Sequence, residues 1–198
     1  MKKLLIYFAT LLGILVGFAF AFSPDKDLKT KLETLSGTYA DAAPYAYGQA
    51  WGTRVFTFDK GKWTLLFTLA LDPEMKVQVF QFRTFGTFDV KDRSTVVADT
   101  YNAVFFEDKK LLTLKTDDEN LINAFGFAPC GLVRDVEADV SKKGCSGWKS
   151  VDECPADHDL LSLDSEGRLY FGNRPQDNDM CTPEKRPTSL TPPVIKVK

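Results

Sequence analysis

His158 is the single imidazole in the chain and stands between Asp157 and Asp159, the residue types of a base oriented by a carboxylate. Successive side chains of a strand point to opposite faces, so both neighbours point away from the ring. No Gly-x-Ser-x-Gly elbow accompanies it, and the reading is a surface histidine in an acidic loop. The run Asp117-Asp118-Glu119 lacks the alternating oxygen ligands and central glycine of a calcium loop and reads as a solvated turn. Glycine-rich dinucleotide and phosphate-loop patterns are absent. Four cysteines, Cys130, Cys145, Cys154 and Cys181, lie in the C-terminal half; none pairs at the short spacing of a zinc knuckle. In an exported chain an even count reads as two disulfides, of which three pairings are possible, and bonded thiols are not nucleophiles. No catalytic residue, metal or cofactor is assigned.

Aromatic density is the unusual feature. Trp51, Phe56, Phe58, Trp63, Phe67, Phe80, Phe82, Phe85 and Phe88 fall within 38 residues. Aromatic residues favour strands and fill small cores, so plain core is one reading. The other is the wall of an apolar cavity on a curved sheet, with Arg54, Phe56, Phe58, Trp63, Phe67, Phe80, Phe82 and Phe85 as ligand-binding residues. Arg54 shares strand parity with Phe56 and Phe58; it is expected to meet an internal carboxylate or a ligand headgroup.

The elements that must position these residues are mostly strands. Leu28, Leu32 and Leu35 recur at helical spacing behind Ser23-Pro24-Asp25 and predict a short amphipathic helix that ends at Gly37. From there the period falls to two. Lys62–Leu71 is the clearest case, with Trp63, Leu65, Phe67, Leu69 and Leu71 on one face. Further strands are predicted at Trp51–Asp59, Lys76–Val90, Thr95–Glu107, Lys109–Thr116, Asp159–Asp164 and Arg168–Gly172. The breaks Asp59-Lys60-Gly61, Asp72-Pro73-Glu74, Glu107-Asp108-Lys109 and Ser165-Glu166-Gly167 carry turn chemistry and predict an antiparallel meander. In Lys76–Val90 the apolar positions change parity from Val77 and Val79 to Phe80 and Phe82, then to Phe85 beside Gly86, which requires a bulge or bend. Such strands suit a strongly curved sheet or barrel. Pro129 to Pro155 and the proline-rich tail beyond Arg174 read as coil tied down by disulfides.

Lys2 and Lys3 precede an apolar run from Leu4 to Phe20 that closes on Ala19-Phe20-Ala21, the pattern of a signal peptide cleaved after Ala21. The chain is therefore read as residues 1–21, a signal peptide, and 22–198, a single β-barrel-like domain, exported to the periplasm or secreted, without stable membrane insertion of the mature part. Removing the two lysines leaves 23 basic against 27 acidic residues, a net charge of about −4, with no basic stripe; nucleic acid is excluded as a partner.

Several phrases occur in a recognisable order: Cys130-Gly131, Gly144-Cys145, Leu169-Tyr170-Phe171-Gly172-Asn173-Arg174-Pro175 and Pro183-Glu184-Lys185-Arg186-Pro187-Thr188-Ser189. Weaker matches lie at Gly37-Thr38-Tyr39, Arg54-Val55-Phe56-Thr57-Phe58, Trp63 and Phe85-Gly86-Thr87-Phe88. Together they resemble the domain of the adenomatosis polyposis coli down-regulated protein family. The resemblance implies a half-open, lipocalin-like barrel with an apolar cavity; animal members antagonise Wnt signalling and are associated with binding its lipid modification. After Gly37-Thr38-Tyr39 the family usually has a Cys followed by an Arg-Pro, where this chain reads Ala40-Asp41-Ala42-Ala43-Pro44.

The expectation is a mainly β, non-enzymatic exported protein that binds an apolar small molecule, a lipid or the acyl chain of a lipidated protein. The alternative is an interaction or inhibitor module acting through surface loops over a solid core, and a third reading is an isomerase or cyclase in a lipocalin-like barrel. Pairs nearest in topology, Cys130 with Cys145 and Cys154 with Cys181, are the predicted disulfides.

Overall fold

The computed structural model describes residues 24–197; the signal-peptide reading of residues 1–21 lies outside them. In chain order the elements are α1 (Pro24–Glu33), β1 (Gly37–Asp41), β2 (Tyr45–Tyr47), β3 (Ala50–Asp59), β4 (Lys62–Ala70), β5 (Gln78–Arg93), β6 (Tyr101–Phe106) and β7 (Lys109–Leu114). Then follow α2 (Glu119–Ala124), β8 (Glu137–Asp139), β9 (Ala156–Leu163), β10 (Leu169–Phe171) and β11 (Val194–Lys196).

Eight strands in the order β3, β1, β11, β10, β9, β6, β5, β4 close into an antiparallel barrel, with β2 added beyond β3, and β7 and β8 forming a wing beside β5. The predicted meander accounts for its longest hairpins. At β3–β4, Lys60 and Gly61 both take positive φ, 48° and 78°, the two-residue turn whose twist matches that of the flanking strands. At β9–β10 the Asp164 carboxylate accepts from the backbone N–H of Glu166 and Arg168, and Gly167 supplies φ 78°.

Three expectations are corrected. Glu107-Asp108-Lys109 is not a hairpin turn: β6 and β7 run in the same direction, and each pairs antiparallel with a different half of β5. The two halves part company at a buried ion pair between Glu107 and Lys110, 2.9 Å apart. Within Lys76–Val90 the face change occurs once, where Leu69 pairs with Phe80 but Ala70 with Gln78, leaving Val79 as the bulged residue; a second register shift lies beyond Val90, before Arg93. No change occurs at Gly86. That glycine is needed because a Cβ there would stand 2.1 Å from the carbonyl oxygen of Phe106, where the chain passes from β6 to β7. The tail is not all coil: prolines 192 and 193 end where β11 begins, and β11 fills the gap between β1 and β10.

The apolar interior has two centres. At one end α1 and the residues just after it plug the barrel, with Leu32 and Leu35 against Tyr39, Phe58, Phe88, Tyr101, Leu161 and Val194. At the other, Phe80, Phe82, Leu112 and Leu114 pack under the coil between β7 and β9, with Phe127, Val140 and Cys145. The disulfides are Cys130–Cys145 and Cys154–Cys181, as expected from topology. They fit an oxidising, non-cytoplasmic compartment. Among the described residues no helix is long and apolar enough to cross a membrane.

Candidate ligand-binding site

Between the plugged end and the coil lies a cavity of about 770 Å³. Its construction follows strand alternation. On β3 the inward residues are Ala50, Gly52, Arg54, Phe56 and Phe58; on β4 they are Trp63, Leu65, Phe67 and Leu69. The first inward residues of β3, Ala50 and Gly52, are small, and a Cβ at Gly52 would come within 2.8 Å of the Phe67 ring, so the missing side chain makes room for that aromatic group. Phe56, stacked on Phe171 with ring centroids 3.9 Å apart, forms the floor with Phe105. The opposite wall comes from the disulfide-bonded coil: Trp148 stacks on Phe82 at 4.8 Å, and Phe125 and Phe127 meet Phe80 at 5.9 and 5.3 Å. Exposed Gly48, Gln49, Leu71 and Gln176 belong to the lining, so the cavity reaches the surface at the end away from α1.

Arg54, Phe56, Trp63, Phe67, Phe80 and Phe82 all line this space. Phe58 does not. It is 2% exposed and packed at the plugged end, its ring edge-on to Tyr39 and Phe88. Phe85 is also off the cavity: because β5 does not change face at Gly86, its odd parity points outward, opposite Thr64 and Lys109.

Arg54 is a structural cation. Its guanidinium grips the Asp41 carboxylate through Nε at 3.1 Å and NH2 at 2.6 Å, and donates to Thr191 Oγ1 at 2.6 Å and the Pro192 carbonyl at 2.7 Å. The backbone N–H of Arg54 also donates to Asp41. Both side chains are buried, and the Tyr45 ring lies 4.5 Å from the guanidinium. Burial pushes the Tyr45 phenol up to about 12, so it is neutral. Of the two partners expected for Arg54, the internal carboxylate is the one present.

The polar groups missed in the sequence come from β9 and the segment after β10. Asp157 and Asp159 share inward parity with Leu161. The acidic loop expected around His158 is therefore a barrel strand, and its acids face the cavity. Asp157 binds Arg174 at 2.6 Å, and Arg174 Nε donates to Asn178 at 2.7 Å. Burial works against the Arg174 charge, but Asp157 outweighs it and the net shift is upward. Behind Asp157, the Glu107 carboxyl is pushed up by burial and by Asp157, while Lys110 also donates to the carbonyls of Lys149 and Cys154. Asp159 accepts at Oδ1 from the N–H of Leu160 at 2.7 Å and of Gly172 at 2.9 Å; burial lifts its pKa to about 6. His158 points outward with Nδ1 3.4 Å from Arg186, and burial lowers its pKa. Asp118 caps α2 through the N–H groups of Asn120 and Leu121.

The signal that could have found Asp157 and Asp159 was their shared parity with Leu161; placing the start of that strand at Asp159 hid it. No protein-family model matches the chain, and no curated protein is detectably similar to it.

Proposed function

We propose that this is an exported, non-enzymatic protein that binds an apolar ligand inside its barrel. The observation that supports this reading is the aromatic-walled cavity itself. Its volume of about 770 Å³ lies in the range of small-molecule sites, and two walls from distant parts of the chain present rings to the same space. Transfer of apolar surface from water would supply the affinity, at roughly 25 cal/mol per Å² buried. Export past an N-terminal signal peptide to the periplasm or the medium accords with the disulfides. The resemblance to the adenomatosis polyposis coli down-regulated family suggests an acyl chain, free or attached to a protein, as the kind of ligand.

Native mass spectrometry of the purified protein, followed by organic extraction, tests the reading. The expected result is an adduct that extracts as a lipid, together with energy transfer from the cavity tryptophans Trp63 and Trp148 to pyrene that saturates near one equivalent. Protein free of adducts that also fails to bind pyrene would transfer the function to the surface loops, as in an interaction or inhibitor module.

A further inference from the structure

The charged groups of the cavity do not balance one another evenly. Arg54 is neutralised by Asp41 and Arg174 by Asp157, and behind the wall Lys110 is neutralised by Glu107. Asp159 has no such partner: among the described residues no cationic side chain comes within ion-pair distance of its carboxylate. Two guanidiniums act on it only beyond that distance: Arg174, which is held by Asp157, and Arg186, which donates to the main-chain carbonyls of Asp159 and Ala103.

Asp159 is also held rigidly. It is 7% exposed and lines the cavity. Both backbone donors, Leu160 and Gly172, converge on Oδ1, and no hydrogen bond among the described residues reaches Oδ2. Gly172 permits this arrangement, since a Cβ there would lie 2.4 Å from Oδ1. The next inward residue on β9, Leu161, is fully buried in the packed end, and Phe171, beside Gly172, forms part of the floor. The carboxylate thus sits where the solid end of the barrel meets the cavity, fixed by two N–H groups with one oxygen unclaimed.

A donor placed against that oxygen would gain a charge-assisted hydrogen bond in an apolar surrounding. A second anion there would meet like-charge repulsion, and the cavity cations Arg54 and Arg174 are already committed to Asp41 and Asp157. We propose that the ligand is an amphiphile whose polar end is a hydrogen-bond donor, a hydroxyl or an amine, that this end meets Asp159 at the floor, and that carboxylate-headed chains are rejected. The inference rests on the cavity being a ligand site. It reverses the expectation of a headgroup at Arg54.

Displacement of pyrene by chains of equal length separates the classes. Dodecylamine and dodecanol should displace it at pH 7.5 at concentrations about tenfold or more below dodecanoate, a difference of about 1.4 kcal/mol. In Asp159→Asn the amide still accepts from Leu160 and Gly172 through its oxygen but turns a donor toward the cavity. The amine-to-carboxylate affinity ratio should therefore collapse by a similar factor. Dodecanoate displacing pyrene as well as dodecylamine in the wild-type protein would overturn the inference while leaving the apolar site intact, and so would an unchanged ratio in a folded Asp159→Asn. Failure of pyrene to bind at all would overturn the site and the inference together. The wild-type series decides the question even where Asp159→Asn does not fold.

Discussion

On the proposed reading, Asp159 joins stability to recognition through one carboxylate that has no ion-pair partner among the described residues. In the folded protein its pKa is lifted to about 6, above the ordinary carboxylate value. The fold therefore favours the protonated form. The stability linked to this group is complete below pH 4 and is lost as pH rises through 6. Asp159→Asn, neutral at every pH, should be more stable than the wild type at pH 8 by about 2–3 kcal/mol and nearly equal to it at pH 4. Urea titrations at the two pH values measure this, and a constant difference between the proteins would show that the carboxylate is not strained by burial. Arg54 makes the opposite case. Arg54→Leu leaves Asp41 buried without its cation and should cost about 3–5 kcal/mol. The choice between headgroup and ion pair is thereby made by the Arg54 donors already committed to Asp41, Thr191 and Pro192.

At the scale of elements, β3 shows how one strand serves two environments. Its inward side chains pass from Arg54 and Phe56 on the cavity to Phe58 in the packed end. Phe58→Ala should cost about 3–5 kcal/mol, because the surrounding side chains cannot collapse into the void. Phe67→Ala, facing the cavity, should cost clearly less and, on the proposed reading, shift the preferred chain length of the ligand upward. Equal losses in equilibrium denaturation would mean that Phe67 is core. The tail is an element of the same kind. Truncation after Thr182 removes β11 from between β1 and β10, together with the Thr191 and Pro192 acceptors of Arg54. A marked fall in melting temperature is expected, and an unchanged one would show that the barrel stands without its closing strand.

For the whole molecule, the two disulfides have different jobs. Cys154–Cys181 ties the start of β9 to the segment that leads into the tail, whereas Cys130–Cys145 holds the coil that brings Phe125, Phe127 and Trp148 over the cavity. Replacing Cys130 and Cys145 by alanine should weaken pyrene binding more than the Cys154 and Cys181 replacement does, while the latter lowers the melting temperature more. The reverse order would separate the coil from ligand binding. Much of this architecture was legible along the chain. Period-two alternation marked most strands, turn residues marked the Asp59–Lys62 and Asp164–Arg168 hairpins, and cysteine order together with the strand plan led to the correct pairing. Alternation, however, is a local property: it says which side chains share a face and not what lies opposite. Phe56 and Phe58 are equivalent in that pattern, yet one borders a void and the other a filled core. That difference, the closure through β11, the commitment of Arg54 to Asp41 and the isolation of Asp159 depend on segments far apart in the chain meeting in three dimensions, because a cavity is defined by the distance between walls and a charge by the partner that reaches it.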